Sequence, residues 1–159
     1  MGPESTGTRV LTQILISAGC AGDGGHEQRF DQHIPEPSKV ESDIVWRRSA
    51  PHFNSEEMPL LDEMNKKLGG YSVEVLITSR SMYPTAMSQM RHRKSLDTLE
   101  KAYKRINRAY SHIFDQVTEY KFTVVTYEGL ERNSGKICSY LGVGDPKVEI
   151  YDGNGKYLD

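Results

Sequence analysis

The first nine residues of the chain combine glycines, hydroxyls and a cation in a pattern that suits an anion. Gly2 and Gly7 flank a short polar stretch, and Thr6 and Thr8 add hydroxyl donors. Glycine lets backbone N–H groups approach an anion, and a helix that begins near Thr8 adds the positive end of its dipole. We therefore predict an anion cradle here, with an ordinary helix start between flexible glycines as the alternative.

Arginines and hydroxyls follow the predicted strands, at the sheet edge where ligands of parallel α/β proteins bind. A kinase or ATPase needs a lysine in its loop and an acidic residue at a strand end to hold Mg²⁺. Glu128 is the only carboxylate directly beyond a predicted strand, so a magnesium-dependent phosphotransferase is disfavoured. Arginines with hydroxyls suit phosphate or sulfate bound without a metal. The strand ends are Arg47-Arg48-Ser49, Ser79-Arg80 and Thr126-Tyr127.

A second anion site is indicated by Arg80 and Ser88. Arg80 closes a β-branched, largely apolar run, and Ser88 lies eight residues later in a predicted helix. This spacing can place a guanidinium and a hydroxyl around one anion. A surface arginine followed by an ordinary helix serine is the alternative, and the two residues alone leave it open.

Hydrophobic periodicity predicts the elements that position these groups. Strands that alternate with helices are typical of a parallel sheet covered on both faces, so we predict a three-layer α/β/α domain. No strand-like run precedes the loop. The predicted strands cover residues 43–49, 71–80 and 120–127, and the predicted helices cover 8–18, 58–70, 84–94, 95–118 and 128–143.

The whole chain, residues 1–159, is predicted to form a single domain. Residues 19–42 form a long irregular segment, which we interpret as an active-site loop. Residues 145–159 are expected to form a C-terminal arm or a small hairpin. Cys20 and Cys138 lie far apart in apolar surroundings, which indicates buried thiols rather than a disulfide framework.

The composition is that of an ordinary globular domain, and it limits the classes of partner that we expect the protein to bind. The formal net charge is −2 and 26% of residues are charged, so there is no basic excess to indicate nucleic acid. No apolar run reaches the length of a membrane span, and no signal peptide is evident. We therefore expect a cytoplasmic protein that binds neither nucleic acid nor membrane. A basic face on the helix over 95–118 is interpreted as solvated, and it carries Lys101, Lys104, Arg105 and Arg108.

Three segments, in order, resemble the sulfotransferases that use 3′-phosphoadenosine-5′-phosphosulfate (PAPS). The first, STGTRVLTQIL, resembles the family's phosphosulfate loop and the helix after it. The second, VEVLITSRSMYPTAMSQ, resembles the strand, loop and helix in which an arginine and a serine eight positions later bind the 3′-phosphate. The third, YKFTVVTYEGLERNSGKICSYLGV, resembles the family's strand, Tyr-Glu-x-Leu and helix.

The resemblance implies a P-loop NTPase-like, sulfotransferase-like fold with PAPS as co-substrate and no metal. It implies that Arg80 and Ser88 hold the 3′-phosphate, and that Tyr127 and Glu128 are structural. The residues that it places around the 5′-phosphosulfate are Ser5, Thr6, Gly7, Thr8 and Arg9.

The chain departs from the family pattern at three places, of which the first is the missing strand before the loop. Ser5 stands where the family has a lysine or arginine, a cation that stabilises charge on the phosphosulfate bridge. Arg9, Arg47 or Arg48 could supply this charge instead. The family's later nucleotide-binding loop is absent or reduced, and Lys156 is a possible replacement.

Sulfuryl transfer needs a base beside the acceptor and a cation beside the transferring group. Ser49 stands where the family has a histidine, and His52 follows three residues later. The candidate catalytic residues are His26, Glu27 and His52 as bases and Arg48 as the cation, with His33 as a further base. For each of the candidate bases, the alternative interpretation is a solvated loop residue.

The leading hypothesis is a sulfotransferase that moves a sulfuryl group from PAPS to a hydroxyl or amine acceptor, such as a small molecule or a glycan. The alternative is a non-catalytic nucleotide-binding, anion-binding or interaction protein that keeps the fold. The fold does not select the acceptor.

Overall fold

The computed structural model of the chain describes residues 1–22, 42–51, 56–69, 71–151 and 153–157. Within these ranges the protein is mixed α/β, with five α-helices and short parallel strands. The helices are α1 (Thr8–Ser17), α2 (Leu61–Leu68), α3 (Met82–His92), α4 (Leu99–Gln116) and α5 (Tyr127–Leu141). The strands are β1 (Gly2–Pro3), β2 (Ala21–Gly22), β3 (Ile44–Val45), β4 (Ser49–Ala50), β5 (Glu74–Ser79) and β6 (Lys121–Thr126).

The strands pair in parallel as β1 with β4, β2 with β3, and β5 with β6. Two further hydrogen bonds connect Met1, the residue before β1, to β5. The Met1 nitrogen donates to the Leu76 carbonyl over 2.6 Å, and the Thr78 N–H donates to the Met1 carbonyl over 2.8 Å. The pattern is that of parallel strands. The loop that follows β1 therefore begins between the carboxyl ends of β4 and β5.

Helices pack on the two faces of the β5–β6 ladder because apolar residues point both ways along each strand. Val75 and Ile77 of β5 belong to a core cluster with Ala109 and Ile113 of α4. Val125 of β6 belongs to a second cluster, which also contains Leu11, Ile14, Leu15, Leu130 and Cys138 from α1 and α5. Parallel pairing with helical cover on both faces confirms the expected mixed α/β class.

The long periodic elements agree with the sequence prediction, whereas the shortest strands do not. The strand predicted over 43–49 is interrupted, since residues 46–48 separate β3 from β4. β1 precedes the loop although no strand was predicted there, and β2 lies in the segment predicted to be irregular. Strands of two residues carry no periodic pattern, so only their backbone pairing reveals them.

Of the two expectations for the C-terminal segment, an arm or a small hairpin, the described part shows no hairpin. Residues 145–151 and 153–157 contain no strand, and Gly155–Tyr157 forms a single 3-10 turn.

The two cysteines are buried and free, as expected, and burial raises the pKa of both thiols. In the described ranges, every helix is too short or too polar to cross a lipid bilayer.

Gly2 is expected to tolerate no side chain. A Cβ atom there would lie 2.1 Å from Thr78 Oγ1 and 2.6 Å from Thr6 Oγ1. Gly2→Ala should therefore lower the free energy of unfolding by about 1–3 kcal/mol, the usual cost of overpacking. Gly135→Ala in α5 is the matched control, because nothing lies within 4 Å of its Cβ position. That variant should gain about 0.5–1 kcal/mol from helix propensity. Urea unfolding measures both, and equal stability of Gly2→Ala and wild type would contradict the packing.

Candidate functional site

The loop between β1 and α1 turns through two residues with left-handed backbone conformation, Ser5 (φ 70°) and Gly7 (φ 95°). Gly7 is the N-cap of α1, and no side chain of the described residues caps this helix by a hydrogen bond. The first-turn N–H groups of α1 therefore receive no side-chain capping bond from the N-cap residue. A Cβ atom at Gly7 would lie 2.5 Å from Cδ2 of Tyr127, so both the backbone angle and the packing require glycine.

The two threonines of the loop have different surroundings. Thr6 is fully buried, and its hydroxyl donates to the Pro3 carbonyl and lies 2.7 Å from Thr78 Oγ1. Thr6 therefore holds the loop in contact with β5. The Thr8 hydroxyl lies 3.4 Å from Ser49 Oγ, at the first residue of β4. Arg9 is exposed on the first turn of α1.

The loop is anchored on its other side by Glu4, which is buried. Its carbonyl accepts a hydrogen bond from Gln89 Nε2 of α3 over 2.8 Å. Its carboxylate Oε2 lies 2.6 Å from Arg93 Nε and 3.2 Å from Arg105 NH2. The two arginines come from the end of α3 and the middle of α4, so one carboxylate fastens the loop to both helices.

The predicted basic face of α4 is only partly solvated. Lys101 and Lys104 are exposed and each forms an ion pair one turn away on the surface, with Asp97 and Glu100. Arg105 is instead about nine-tenths buried against Glu4. The helical spacing placed all these cations near one another, but it carried no information on which of them faces the loop.

Arg80 reaches from the end of β5 to the loop and to the C-terminal segment. Its NH1 donates to the Ser5 carbonyl over 3.1 Å, and its NH2 donates to the Gly153 carbonyl over 3.1 Å. Its Nε donates to Asn154 Oδ1 over 2.6 Å. The guanidinium also lies 4.4 Å from the centroid of the Tyr127 ring, close enough for a cation–π contact. The two segments predicted to bind anions therefore meet at this side chain.

Ser88 is buried in α3 and bonds to the Tyr157 phenol of the C-terminal 3-10 turn. Burial raises the pKa of this phenol, but the Ser88 hydroxyl and the charges of Lys156 and Arg80 outweigh burial, so its pKa is lowered. Lys156 Nζ lies 5.0 Å from the centroid of the Tyr157 ring. The predicted 3′-phosphate residues and the predicted replacement cation are therefore close together.

Tyr127 and Glu128, at the start of α5, hold the C-terminal segment in place. The Tyr127 hydroxyl accepts a hydrogen bond from the Gly153 N–H over 2.9 Å. Glu128 Oε1 accepts from the Ser81 N–H over 2.8 Å and from Asn154 Nδ2 over 3.1 Å. Partial burial raises the pKa of Glu128, but these hydrogen bonds outweigh it, so the pKa lies below its ordinary value.

Sequence reasoning missed Asn154, Gly153 and Tyr157 as neighbours of Arg80, although it selected Lys156 from the same turn. The NGKY run was the available indication, because a short polar, glycine-containing turn can approach a charged group. Its contact with residues more than sixty positions earlier has no local signature.

The candidate catalytic residues are only partly described. Arg48 is half-buried, with its guanidinium carbon 5.8 Å from the centroid of the Trp46 ring. Arg47 lines a largely apolar cavity of about 390 Å³ beside α1, α2 and β5. The candidate bases His26, Glu27, His33 and His52 lie outside the described residues.

Comparison of the chain with models of known protein families gives no match, and comparison with characterised proteins and with solved structures gives none either.

Glu128 provides a test of this site through the pH dependence of stability. Because its pKa is lowered on folding, it stabilises the fold above the ordinary carboxyl pKa of about 4.3, and this contribution is lost as the pH falls through the folded pKa. Glu128→Gln should therefore melt below wild type at pH 7, with a difference that shrinks below about pH 4. Glu131→Gln, an exposed residue on the same helix, serves as the control. A pH-independent difference would contradict the assigned hydrogen bonds.

Proposed function

We propose that the chain is a PAPS-dependent sulfotransferase with a three-layer, P-loop NTPase-like fold. The observation that carries the proposal is the 3.1 Å hydrogen bond between Arg80 NH1 and the Ser5 carbonyl. It brings the predicted phosphosulfate loop against the predicted 3′-phosphate site. One nucleotide with phosphates at both its 5′ and 3′ ends suits two neighbouring anion sites of this kind.

The reaction would be an in-line transfer of the sulfuryl group. The acceptor oxygen or nitrogen forms a bond to sulfur while the bond from sulfur to the bridging phosphate oxygen breaks. The acceptor proton passes to a base, for which His26, Glu27 and His52 are the candidates. Negative charge develops on the leaving 5′-phosphate, next to the first-turn N–H groups of α1.

Charge stabilisation in this proposal depends on backbone donors, because Ser5 replaces the loop cation. The left-handed conformations at Ser5 and Gly7 suit a concave set of N–H groups, the arrangement in which backbone amides hold anions. Arg9, Arg47 and Arg48 remain the candidates for an added cation. Arg48 adjoins β4, the strand that pairs with β1 directly before the loop.

Nucleotide binding would require a rearrangement around Arg80. Two of its current acceptors, the Gly153 carbonyl and Asn154 Oδ1, belong to the C-terminal segment. A 3′-phosphate is a stronger acceptor for a guanidinium than a neutral carbonyl oxygen. We therefore expect residues 153–157 to shift when a phosphate takes over these bonds, with Ser88 and Lys156 as further donors.

Adenosine 3′,5′-bisphosphate provides the binding test. Wild type should bind it in calorimetry, and Arg80→Ala should bind about 10- to 100-fold more weakly, since a charged hydrogen bond contributes about 1.5–3 kcal/mol. Arg91→Ala removes the same charge from an exposed position of α3 and should leave the affinity unchanged. Absence of binding to the wild-type protein, or equal affinities for the two variants, would overturn the nucleotide assignment.

The surroundings of the loop favour a second candidate, a nucleotide-binding or anion-binding protein without catalysis. The loop carries a carboxylate, that of Glu4. The two arginines that contact this carboxylate, Arg93 and Arg105, are both paired with glutamates. Neither arginine is therefore available to stabilise a leaving phosphate in this arrangement. In this alternative, the protein binds the nucleotide but does not transfer its sulfuryl group.

A transfer assay separates the two candidates. With PAPS and a panel of phenols, sugars and amines, the sulfotransferase should form a sulfated product. One of His26→Ala, Glu27→Gln and His52→Ala should lower kcat by about 10²–10⁴-fold while the nucleotide Kd stays unchanged, as expected for loss of a general base. Tight nucleotide binding with no transfer to any acceptor would support the non-catalytic candidate.

A further inference from the structure

Two arginines converge beneath the loop between β1 and α1. Arg93 follows the last turn of α3, Arg105 lies in α4, and their side chains are only 14% and 10% exposed. The Glu4 carboxylate contacts both of them from the interior, and is itself 8% exposed. The inner side of the arginine pair is therefore occupied by a buried carboxylate.

A second carboxylate, that of Glu56, contacts both arginines from the outside. Arg93 NH1 pairs with one oxygen of its carboxylate, and Arg105 NH1 pairs with the other. Glu56 differs from Glu4 in two respects. Its side chain is 59% exposed, and its backbone has φ 55°, a left-handed conformation that is unfavourable for a glutamate. The inner carboxylate is buried at the base of the loop, whereas the outer one is supplied by a strained, exposed residue.

The pair of guanidiniums has the geometry of an oxyanion receptor. One carboxylate spans the two NH1 groups, an arrangement that a carboxylate or sulfate group of a ligand could reproduce. Arg105 Nε is buried and has no hydrogen-bond partner among the described residues, so the pair also retains an unused donor. A ligand that replaced Glu56 would release the strained backbone, whereas a ligand that replaced Glu4 would have to disrupt the loop.

We propose that Arg93 and Arg105 form a binding site for a carboxylate or sulfate group of the acceptor substrate, and that Glu56 occupies this site in the unliganded protein. The site lies at the root of the loop, because Glu4 belongs to both. The acceptor is therefore an acidic molecule whose anionic group binds beside the sulfuryl donor. The identification of this ligand as an acceptor rests on the proposed sulfotransferase function, but the anion site itself does not.

Glu56→Ala tests the site without any transfer assay. Sodium acetate and sodium sulfate are titrated at constant ionic strength, with chloride as the balancing salt, and the melting temperature is followed. In Glu56→Ala the temperature should rise saturably with both anions. The apparent Kd should be at least about tenfold lower than in wild type, since binding no longer displaces a carboxylate.

Glu63→Ala is the matched control, because it removes the same charge from an exposed position of α2. It should respond to the anions as wild type does, which also corrects for the general stabilising effect of sulfate. Adding Arg105→Lys to Glu56→Ala keeps the charge but removes the planar donor pair, and it should abolish most of the response. If the Ala variant does not fold, Glu56→Gln provides the same comparison with a neutral side chain of equal size.

Equal responses of Glu56→Ala, Glu63→Ala and wild type would overturn the anion site. A saturable response confined to the Glu56 variants, in a protein that does not bind adenosine 3′,5′-bisphosphate, would keep the anion site and reject the sulfotransferase function. The two failures are therefore distinguishable.

Discussion

The pairing of Gly2 and Pro3 between two parallel strands is the constraint on which the candidate site depends. β1 pairs with β4 on one side, and Met1 bonds to Leu76 and Thr78 of β5 on the other. Only a residue without a side chain fits beside Thr78 at this point. The loop leaves the sheet directly after this strand of two residues. The position of the strand therefore determines where the loop turns, where α1 begins and which part of the loop Arg80 contacts.

Two polar anchors keep the loop in position after it leaves the strand. On one side Thr6 is buried against Thr78, and on the other Glu4 is tied to Arg93 and Arg105. A buried carboxylate is tolerated only when its charge is compensated, which makes the two arginines necessary partners of the loop. Arg105 also pairs with the exposed Glu56, so the ion pairs that hold the loop extend to the protein surface.

The C-terminal segment connects the remaining parts of the site. Gly153 and Asn154 are bonded to Arg80, Tyr127 and Glu128, which come from the ends of β5 and β6 and the start of α5. These bonds are partly buried, Asn154 is itself buried, and the two donated by Arg80 come from a charged group. The segment therefore encloses the Arg80 side chain and ties it to the start of α5.

The sequence alone determined the elements whose pattern is local. The periodic helices α1, α4 and α5, the strands β5 and β6, and the candidate anion residues Arg80 and Ser88 all follow from spacing within a short window. Tertiary structure decided the rest. The strands of two residues exist only through their partners, and Arg105, which resembles its solvated neighbours in sequence, is buried by a carboxylate 101 residues away. The physical reason is that backbone pairing and charge compensation act between groups that are close in space, and the distance along the chain does not encode them.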